Sequence, residues 1–169
     1  MTRSGRRLIR RVVPMAGALA LLVAAIASAA GPAKVGTHHT NRGKVLADSR
    51  GFSLYMFAKD KQHGKSTCYG QCAMAWPPLI TSGRPKAARF SGVNSKLLGT
   101  TRRRSGLLQV TYNGWPLYRY QPDPKPGADE GEGFIQFGAA WYLLRTSGQQ
   151  VKCQHGFKAS TSGCLPGGY

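Results

Sequence analysis

After residue 30, apolar residues come in short runs and not at the spacing of about 3.6 residues that marks an amphipathic helix. The runs are rich in β-branched and aromatic residues, and Gly or Pro separates almost all of them. This pattern is typical of short antiparallel strands joined by tight turns. The sequence therefore predicts a mainly β protein with little helix, in which only "YGQCAMAW" indicates a short helical turn.

Turns divide the apolar runs into hairpins. Asn113-Gly114 is the clearest of them, because both turn positions of an Asn-Gly hairpin require a positive φ. Together with a turn at "RRSG", it predicts a three-stranded meander over about 96–120. "DSRG" predicts a hairpin near the start of the domain, and "TSGQ" indicates another near its end. The predicted architecture is thus a set of antiparallel hairpins and a meander.

One stretch of the chain occurs twice. "GFSLYMFAKD" returns 63 positions later as "GWPLYRYQPD", and each copy is followed by a Trp strand, at Trp76 and Trp141. Each unit thus predicts a hairpin, an Asp turn, a glycine-rich loop and a Trp strand, over about 44–80 and 107–145. We predict that the units are pseudo-twofold halves of one compact domain, because neither is long enough to bury a core alone.

The repeated positions are predicted to be structural. Side chains two apart on a strand point to one face, so each Tyr and the aromatic residue two positions later form an aromatic wall. The Asp falls just past the strand, where its carboxylate accepts backbone N–H bonds and the Gly four residues later adopts a positive φ. The repeated residues are Tyr55, Phe57, Asp60, Trp76, Tyr118, Tyr120, Asp123 and Trp141.

These residues resemble a family of bacterial secreted or lipoprotein repeats that is defined by a Tyr-x-(Phe/Trp/Tyr)-x-x-Asp motif. The motif stands here at 55–60 and 118–123, and "CYGQCAMAWPPL" and "TYNGWPLYRY" are similar to further blocks of the family. The resemblance covers roughly 44–145 and implies export, a tandem repeat and no established biochemical activity. No Cys precedes Cys68, so the lipobox of the lipoprotein members is absent and a lipid anchor is not expected.

The first 30 residues have the composition of a signal peptide, with a basic start, an apolar stretch and small residues at the end. Cleavage is expected after Ala29 or Ala30. An uncleaved membrane anchor is the alternative, although Pro14, Gly17 and the many Ala residues make this stretch a poor one. We therefore expect a secreted or envelope-associated protein with no membrane-spanning segment after cleavage.

The remaining residues are enough for one domain. Residues 31–43 show no periodicity and few large apolar residues, which predicts a flexible linker. The two-repeat β domain is then expected at 44–152, and a disulfide-looped tail at 153–169.

All four cysteines follow the signal peptide, and an even number in an oxidising compartment indicates disulfides. Of the three pairings that four cysteines allow, short separation favours Cys68–Cys72 and Cys153–Cys164. The second bond would close the loop "CQHGFKASTSGC" and stabilise the fold by about 3 kcal/mol. "CYGQC" lacks the Cys-x-x-Cys spacing of redox and haem-attachment motifs, so both bonds are predicted to be structural.

The chain after residue 30 is strongly basic. It has 19 basic residues against six acidic ones, because five of the 24 Lys and Arg lie in the signal peptide. The resulting charge of +13 favours anionic partners, namely envelope polymers, lipid headgroups or nucleic acid. No reading helix or nucleic-acid motif appears, so sequence-specific nucleic-acid recognition is not expected. The candidate anion-binding residues form two clusters, Arg84, Lys86 and Arg89, and Arg102, Arg103 and Arg104.

Two further sets of residues are candidate metal ligands. The loop "DPKPGADEGEG" concentrates four of the six acids and would suit Ca²⁺, although its spacing does not match an EF-hand. These acids are Asp123, Asp129, Glu130 and Glu132. His38 and His39, with His63 or His155 as a third ligand, would suit Cu or Zn. A solvated acidic loop and adjacent histidines that point apart are the competing interpretations.

No motif indicates an enzyme, since Gly-x-Ser-x-Gly, His-Glu-x-x-His and a phosphate-binding loop are all missing from the sequence. The sequence therefore predicts an exported, non-catalytic binding or envelope-associated module without a cofactor, which holds anionic envelope polymers through a basic surface. An extracytoplasmic metal-binding or redox accessory protein is the alternative. The ligand and the oligomeric state are left open at this stage.

Overall fold

The computed structural model describes residues 31–153, 157–161 and 163–166. Its helical elements are α1 (Gln71–Ala75) and a 3₁₀ turn at Ser95–Leu97, and none of the described helices is long and apolar enough to cross a membrane. The strands are β1 (Lys34–Thr40), β2 (Gly43–Asp48), β3 (Tyr55–Phe57), β4 (Ile80–Thr81), β5 (Lys86–Ala87), β6 (Leu98–Arg102), β7 (Leu108–Tyr112), β8 (Trp115–Pro116), β9 (Ile135–Gln136), β10 (Ala139–Leu143), β11 (Phe157–Ser160) and β12 (Gly163–Pro166). The predicted mainly β class with little helix is confirmed, and the short helix lies where the sequence indicated a helical turn.

Four small sheets contain these strands, in the orders β2-β1-β5, β3-β10-β9, β11-β12 and β4-β7-β6, with β8 beside β7. The pairs are antiparallel apart from β1 with β5. β6, β7 and β8 form the meander that the two turn signals predicted. The central turn has a φ of 48° at Asn113 and 79° at Gly114, as an Asn-Gly hairpin requires.

Each half begins with a hairpin, β1 with β2 in the first and β6 with β7 in the second. Because β1 lies inside residues 31–43, the prediction of a flexible linker there was wrong. The strand "KVGTHHT" contains Val35 as its only large aliphatic residue, so it carries no apolar strand pattern. Its backbone N–H and C=O groups still pair with β2 whatever the side chains are. Both repeats therefore start one strand earlier than the predicted 44 and 107.

The loops after the two motif Asp residues differ in the position that adopts a left-handed backbone. Gly127 has a φ of 86°, as predicted from its place four residues after Asp123. In the first half His63 takes this conformation, with a φ of 62°, so the prediction was wrong for Gly64. Gly64 is needed for space instead, because a Cβ there would lie 2.9 Å from the carbonyl oxygen of Lys61.

The two halves exchange strands. β3 of the first half pairs antiparallel with β10 of the second half. In the equivalent position, residues 118–121 of the second half run beside residues 75–78 of the first, where the Arg119 N–H donates to the Pro77 carbonyl at 2.9 Å. Proline has no N–H to donate, so Pro77 and Pro78 add no donor to this second ladder. The Tyr segment of each half is thus hydrogen-bonded to the Trp segment of the other. Trp141 lies in β10 as predicted, whereas the strand predicted at Trp76 was wrong, because Trp76 caps the C-terminus of α1.

The exchange extends to the hairpins. The Leu46 N–H of β2 donates to the Leu144 carbonyl at 2.9 Å, and the Val110 N–H of β7 donates to the Leu79 carbonyl at 2.8 Å. These matching bonds join the hairpin of each half to the last strand of the other half. The structure therefore gives the predicted pseudo-twofold pairing a definite form, in which neither half is complete without its counterpart.

The centre of this arrangement is the contact between Tyr55 and Tyr118. The Tyr55 N–H donates to the Tyr118 carbonyl at 2.8 Å, and the Tyr118 N–H donates back to the Tyr55 carbonyl at 2.9 Å. Both side chains are fully buried. The two residues that the sequence predicted to be equivalent thus meet at the local twofold point.

The core consists of two clusters, separated by strand β3. Tyr55 and Phe57 face a mainly aromatic cluster, while Leu54 and Met56 face a mainly aliphatic one. This division follows from the alternation of side chains along an extended chain. It also explains why all three residues of β3 are buried although β3 is short.

Both predicted disulfides are confirmed. Cys68–Cys72 links the start of α1 to the segment before it, and Cys153–Cys164 ties the β11–β12 hairpin back to the domain. The second bond packs on Gly133, where a Cβ would lie 2.5 Å from the Cys164 sulfur. Within the predicted tail 153–169, residues 154–156, 162 and 167–169 lie outside the described residues.

The exchanged pairing makes a prediction about fragments. Cutting the chain after Phe90, in the segment that joins the halves, gives fragments 31–90 and 91–169. Each fragment is expected to be unfolded alone, because its Tyr segment and its Trp segment both lose their partners. Mixing them should restore the β-sheet circular dichroism of the intact protein. A fragment that gives a cooperative thermal transition by itself would contradict strand exchange as the basis of stability.

Candidate functional site

The motif residues form two reciprocal hydrogen bonds between the halves. The Tyr55 hydroxyl of the first half donates to Asp123 Oδ2 of the second at 2.9 Å, and the Tyr118 hydroxyl donates to Asp60 Oδ2 at 2.6 Å. All four side chains are buried. The Tyr and the Asp of one motif copy are therefore not partners of each other, because each reaches across to the other copy.

Each Asp also holds its own loop. Asp60 Oδ1 accepts the Thr67 N–H at 2.7 Å, and Asp123 Oδ1 accepts the Glu130 N–H at 3.1 Å. The acceptor thus lies seven residues before the donor in both halves, which agrees with the predicted turn role. The cross-half bond from the Tyr hydroxyl was not predicted.

Burial changes the acidity of this pair. Desolvation, together with the charge of Asp123, raises the pKa of Tyr55 far above its ordinary value, and the same causes, with Asp60, act on Tyr118. Both hydroxyls therefore keep their protons and act as donors. Desolvation raises the pKa of Asp123 to about 6, although the bonds from Tyr55 and the Glu130 N–H oppose this.

The remaining motif residues form an aromatic stack with the same symmetry. Phe57 stacks on Trp141 with ring centroids 4.1 Å apart, and Tyr120 stacks on Trp76 at 4.2 Å. The two Trp rings stack on each other at 4.0 Å and close the column. Each Tyr–Trp or Phe–Trp contact in the column joins different halves. Such ring pairs contribute about 0.5–1.5 kcal/mol each beyond the area they bury.

These contacts indicate that the motif is a structural brace between the halves. Among the motif carboxylates, Asp123 also lines a cleft of about 250 Å³ with Arg50, Phe52 and Arg119. Two guanidinium groups in that cleft share Asp48, at 3.6 Å from Arg50 and 3.7 Å from Arg119. Asp48 therefore neutralises part of the positive charge of this cleft.

The acidic loop does not form the candidate metal site. Within the described residues, no group of three or more His, Cys, Asp or Glu is arranged to hold a metal ion. Asp123 bonds Tyr55, Asp129 pairs with Arg42 at 3.2 Å, and Glu132 turns inward. Glu130 remains exposed. Three of the four acids thus take up separate partners and the fourth is exposed, so the structure does not bring them together as the predicted calcium site.

Glu132 is buried beside strand β10. Its Oε2 accepts the Leu143 N–H at 2.6 Å, while its Oε1 is buried without a hydrogen-bond partner among the described residues. Desolvation raises the pKa of this carboxyl to about 8, against the opposing effects of the Leu143 bond and of Arg42. Nothing in the local sequence distinguished this Glu from its exposed neighbour Glu130.

The described histidines also do not form the candidate Cu or Zn site. His38 Nε2 lies 2.9 Å from the Ser53 hydroxyl, and burial lowers the pKa of its imidazole. His39 is exposed on the same strand, and the ring of His63 packs against Gly114. His155 lies outside the described residues. The candidate Cu or Zn set is thus not assembled among the three described histidines.

The candidate anion-binding residues separate into exposed and buried ones. Arg103 is buried, and its guanidinium donates to Ser66 Oγ at 2.9 Å, to Gln109 Oε1 at 2.6 Å and to the Cys68 carbonyl at 2.6 Å. It is therefore a core residue, which corrects its place among the anion-binding candidates. The exposed members are Arg84, Lys86, Arg89, Arg102 and Arg104.

The exposed basic residues are partly ordered by aromatic contacts. The Arg104 guanidinium lies 4.5 Å from the ring centroid of Tyr69, and that of Arg89 lies 5.4 Å from the ring of Phe90. Phe90 itself is 95% exposed. Cation–π contacts of this kind hold a guanidinium in place while its N–H groups remain available.

Charge of the two signs is distributed very differently between core and surface. Of the 19 Lys and Arg residues after residue 30, 15 are exposed, three are half-buried and Arg103 is buried. Of the six carboxylates, four are buried, Asp129 is half-buried and Glu130 is exposed. The surface is consequently more cationic than the formal charge of the chain suggests.

The fold and the motif together define a class, namely a two-repeat β protein whose halves exchange strands. The chain belongs to the family described as "secreted repeat of unknown function", which matches residues 36–80 and 99–145, more than half of the chain. The resemblance drawn from the motif is thereby confirmed, and the matched ranges begin within β1 and β6. A search of curated proteins and a search of solved structures each gave no significant match.

The brace predicts a specific pattern of stability. Asp60→Ala and Asp123→Ala should each lower the free energy of unfolding by about 1–3 kcal/mol, because buried N–H and hydroxyl groups lose their acceptor. The Asn variants should be milder, since the amide oxygen still accepts. Thermal melts measure both, with Glu130→Ala as the exposed control. Unchanged melting temperatures in both Asp→Ala variants would contradict a structural role for these two carboxylates.

Glu132 and Asp123 predict how stability depends on pH. Their pKa values of about 8 and 6 in the folded protein lie above the ordinary 4.5 and 3.8. The folded state therefore holds these protons more tightly than the unfolded chain, so their contribution is complete at acidic pH and is lost as pH rises through 6 and then 8. Glu132→Gln should remove most of the loss between pH 5 and pH 9, to which Glu132 contributes on the order of 4 kcal/mol.

Urea unfolding between pH 5 and pH 9 measures this dependence. Glu130→Gln is the matched control, because Glu130 lies in the same loop but is exposed. A wild-type protein that becomes more stable from pH 6 to pH 9 would contradict the assignment.

Proposed function

We propose that the protein is an exported, non-catalytic module that binds anionic envelope polymers through its basic surface. The observation that carries the proposal is the unequal burial of charge: four of six carboxylates are inside and 15 of 19 basic residues are exposed. The carboxylates that could have neutralised the surface serve the fold instead. An anionic partner is the natural counter-charge for such a surface.

The basic surface contains a groove that suits an extended polymer. The groove has a volume of about 390 Å³, and its lining includes Arg84, Thr100 and Leu108. Arg102 is exposed on the same face of β6 as Thr100, and it is the register partner of Leu108. One residue of each exposed basic cluster is thus at this groove, Arg84 in its lining and Arg102 beside Leu108.

A pair of lysines near Arg84 also supports anion binding in this region. Lys34 of β1 lies directly opposite Lys86 of β5, and both side chains are exposed. Like charges opposite each other on neighbouring strands destabilise a sheet. A bound polyanion would relieve this repulsion, because its charge would lie between the two ammonium groups.

The test is binding of poly(glycerol phosphate) to the triple variant Arg84→Glu, Lys86→Glu, Arg89→Glu. We expect an affinity loss of at least about tenfold at moderate salt and a shallower dependence of affinity on salt, because fewer counterions are released. Dextran, a neutral polymer, should not bind the basic surface of the wild type. Isothermal titration at several salt concentrations measures both quantities.

The matched control is the triple variant Lys61→Glu, Lys65→Glu, Lys125→Glu, which has the same net charge but changes exposed residues in the two Asp loops. It should keep most of the wild-type affinity. Equal losses in the two triple variants would mean that net charge alone drives binding and that the groove has no special part in it. Elemental analysis of the purified protein tests the metal-binding alternative separately.

A further inference from the structure

Trp115 follows Gly114 at the start of the second copy of the motif, where Phe52 follows Gly51 in the first. Its side chain is only partly enclosed by the core. It lies on β8 and is half-buried, whereas Trp76 and Trp141 are completely buried. The indole Nε1 groups of both buried Trp residues bond to Gln136. In the part of the chain that the structure describes, the Nε1 of Trp115 has no hydrogen-bond partner.

Trp115 lines an open cleft of about 530 Å³. Its other walls consist of amide side chains, a glycine and one lysine: Gln62, Asn113, Gly148, Gln149, Gln150 and Lys152. The volume is within the range of about 300–1,000 Å³ that is typical of small-molecule sites. It contains four primary amides and a single cation, whereas the cleft at Phe52 contains one primary amide and two cations.

Two of the amides build the cleft, and two face it without partners. Gln62 Nε2 donates to the Asn113 carbonyl at 2.8 Å, and Asn113 Nδ2 donates to the Gly148 carbonyl at 3.3 Å. These bonds fix the hairpin turn against the loop at 147–150. The side-chain amides of Gln149 and Gln150 form no hydrogen bond to any other described residue. Each therefore offers both a donor and an acceptor to a ligand.

We propose that this amide cleft is a saccharide-binding site. A pyranose ring has apolar C–H faces that stack on an indole, and hydroxyl groups around its edge that need both donors and acceptors. The cleft supplies an aromatic face, a free indole N–H and unpartnered amides, and it has no carboxylate that would repel an acidic substituent. Lys152 at the rim accommodates such a substituent.

The other half of the repeat provides an internal comparison. Arg50 and Phe52 hold the positions that Asn113 and Trp115 hold here, and they also line a cleft. That cleft contains the guanidinium groups of Arg50 and Arg119 and one carboxylate, and Gln121 is the only side-chain amide in its lining. The same scaffold position has thus acquired charged chemistry in one half and uncharged polar chemistry in the other. The saccharide site does not depend on the basic groove and stands apart from the proposed function.

The experiment titrates the full-length secreted protein with chitotetraose, cellotetraose and maltotetraose, using saturation-transfer NMR and tryptophan fluorescence. Saturable binding to at least one probe is expected, with a change in the emission of the half-exposed Trp115. Trp115→Ala should weaken binding by about tenfold or more, since it removes the stacking face. Trp115→Phe, which keeps a ring but loses the N–H, should give a smaller loss.

If Trp115→Ala does not fold stably, Gln149→Ala and Gln150→Ala test the same site. Their side chains bond to no described residue, so their melting temperatures should equal that of the wild type while affinity falls severalfold. Phe52→Ala, the change at the equivalent position of the first half, should leave saccharide affinity unaltered. The proposal is overturned if none of the three probes binds saturably, or if binding survives both Trp115→Phe and the Gln variants unchanged.

Discussion

The structure depends on a reciprocal exchange between its halves, centred on the Tyr–Asp bonds that cross from one motif copy to the other. Tyr55 with Asp123 and Tyr118 with Asp60 place a hydroxyl donor and a carboxylate acceptor together in a buried site. An unpaired buried carboxylate would be strongly unfavourable, so each pair stabilises only the arrangement in which both halves are docked. The strand exchange and the aromatic column follow the same twofold relation.

This use of carboxylates in the interior also explains the surface. A chain with only six acids that buries four of them leaves its basic residues with few partners outside. Even Arg103, the one buried basic residue among those described, has no carboxylate partner. Its guanidinium donates to uncharged oxygens of Ser66, Gln109 and Cys68. The cationic surface is thus a consequence of how the halves are joined, as well as of composition.

A duplicated scaffold leaves some equivalent positions free to diverge. Positions that meet at the twofold centre, Tyr55 and Tyr118, are the same residue because each must fulfil the same contacts. Phe52 and Trp115 lie away from that centre and border clefts of different chemistry. The residues of the motif are occupied by contacts within the fold, so both proposed binding sites lie at the periphery of the repeat.

The sequence alone determined the β class, the hairpin turn at Asn113, the duplication and the disulfide between Cys68 and Cys72. Each of these rests on neighbours in the chain, where turn conformation, side-chain alternation and short loops act locally. It did not determine that β1 is a strand, that Glu132 turns inward while Glu130 stays outside, or that each Asp bonds the Tyr of the other copy. Those outcomes depend on which distant backbone and side-chain groups meet when the chain closes. The two Tyr–Asp pairs are 58 and 68 positions apart, and no local pattern records a partner at that separation.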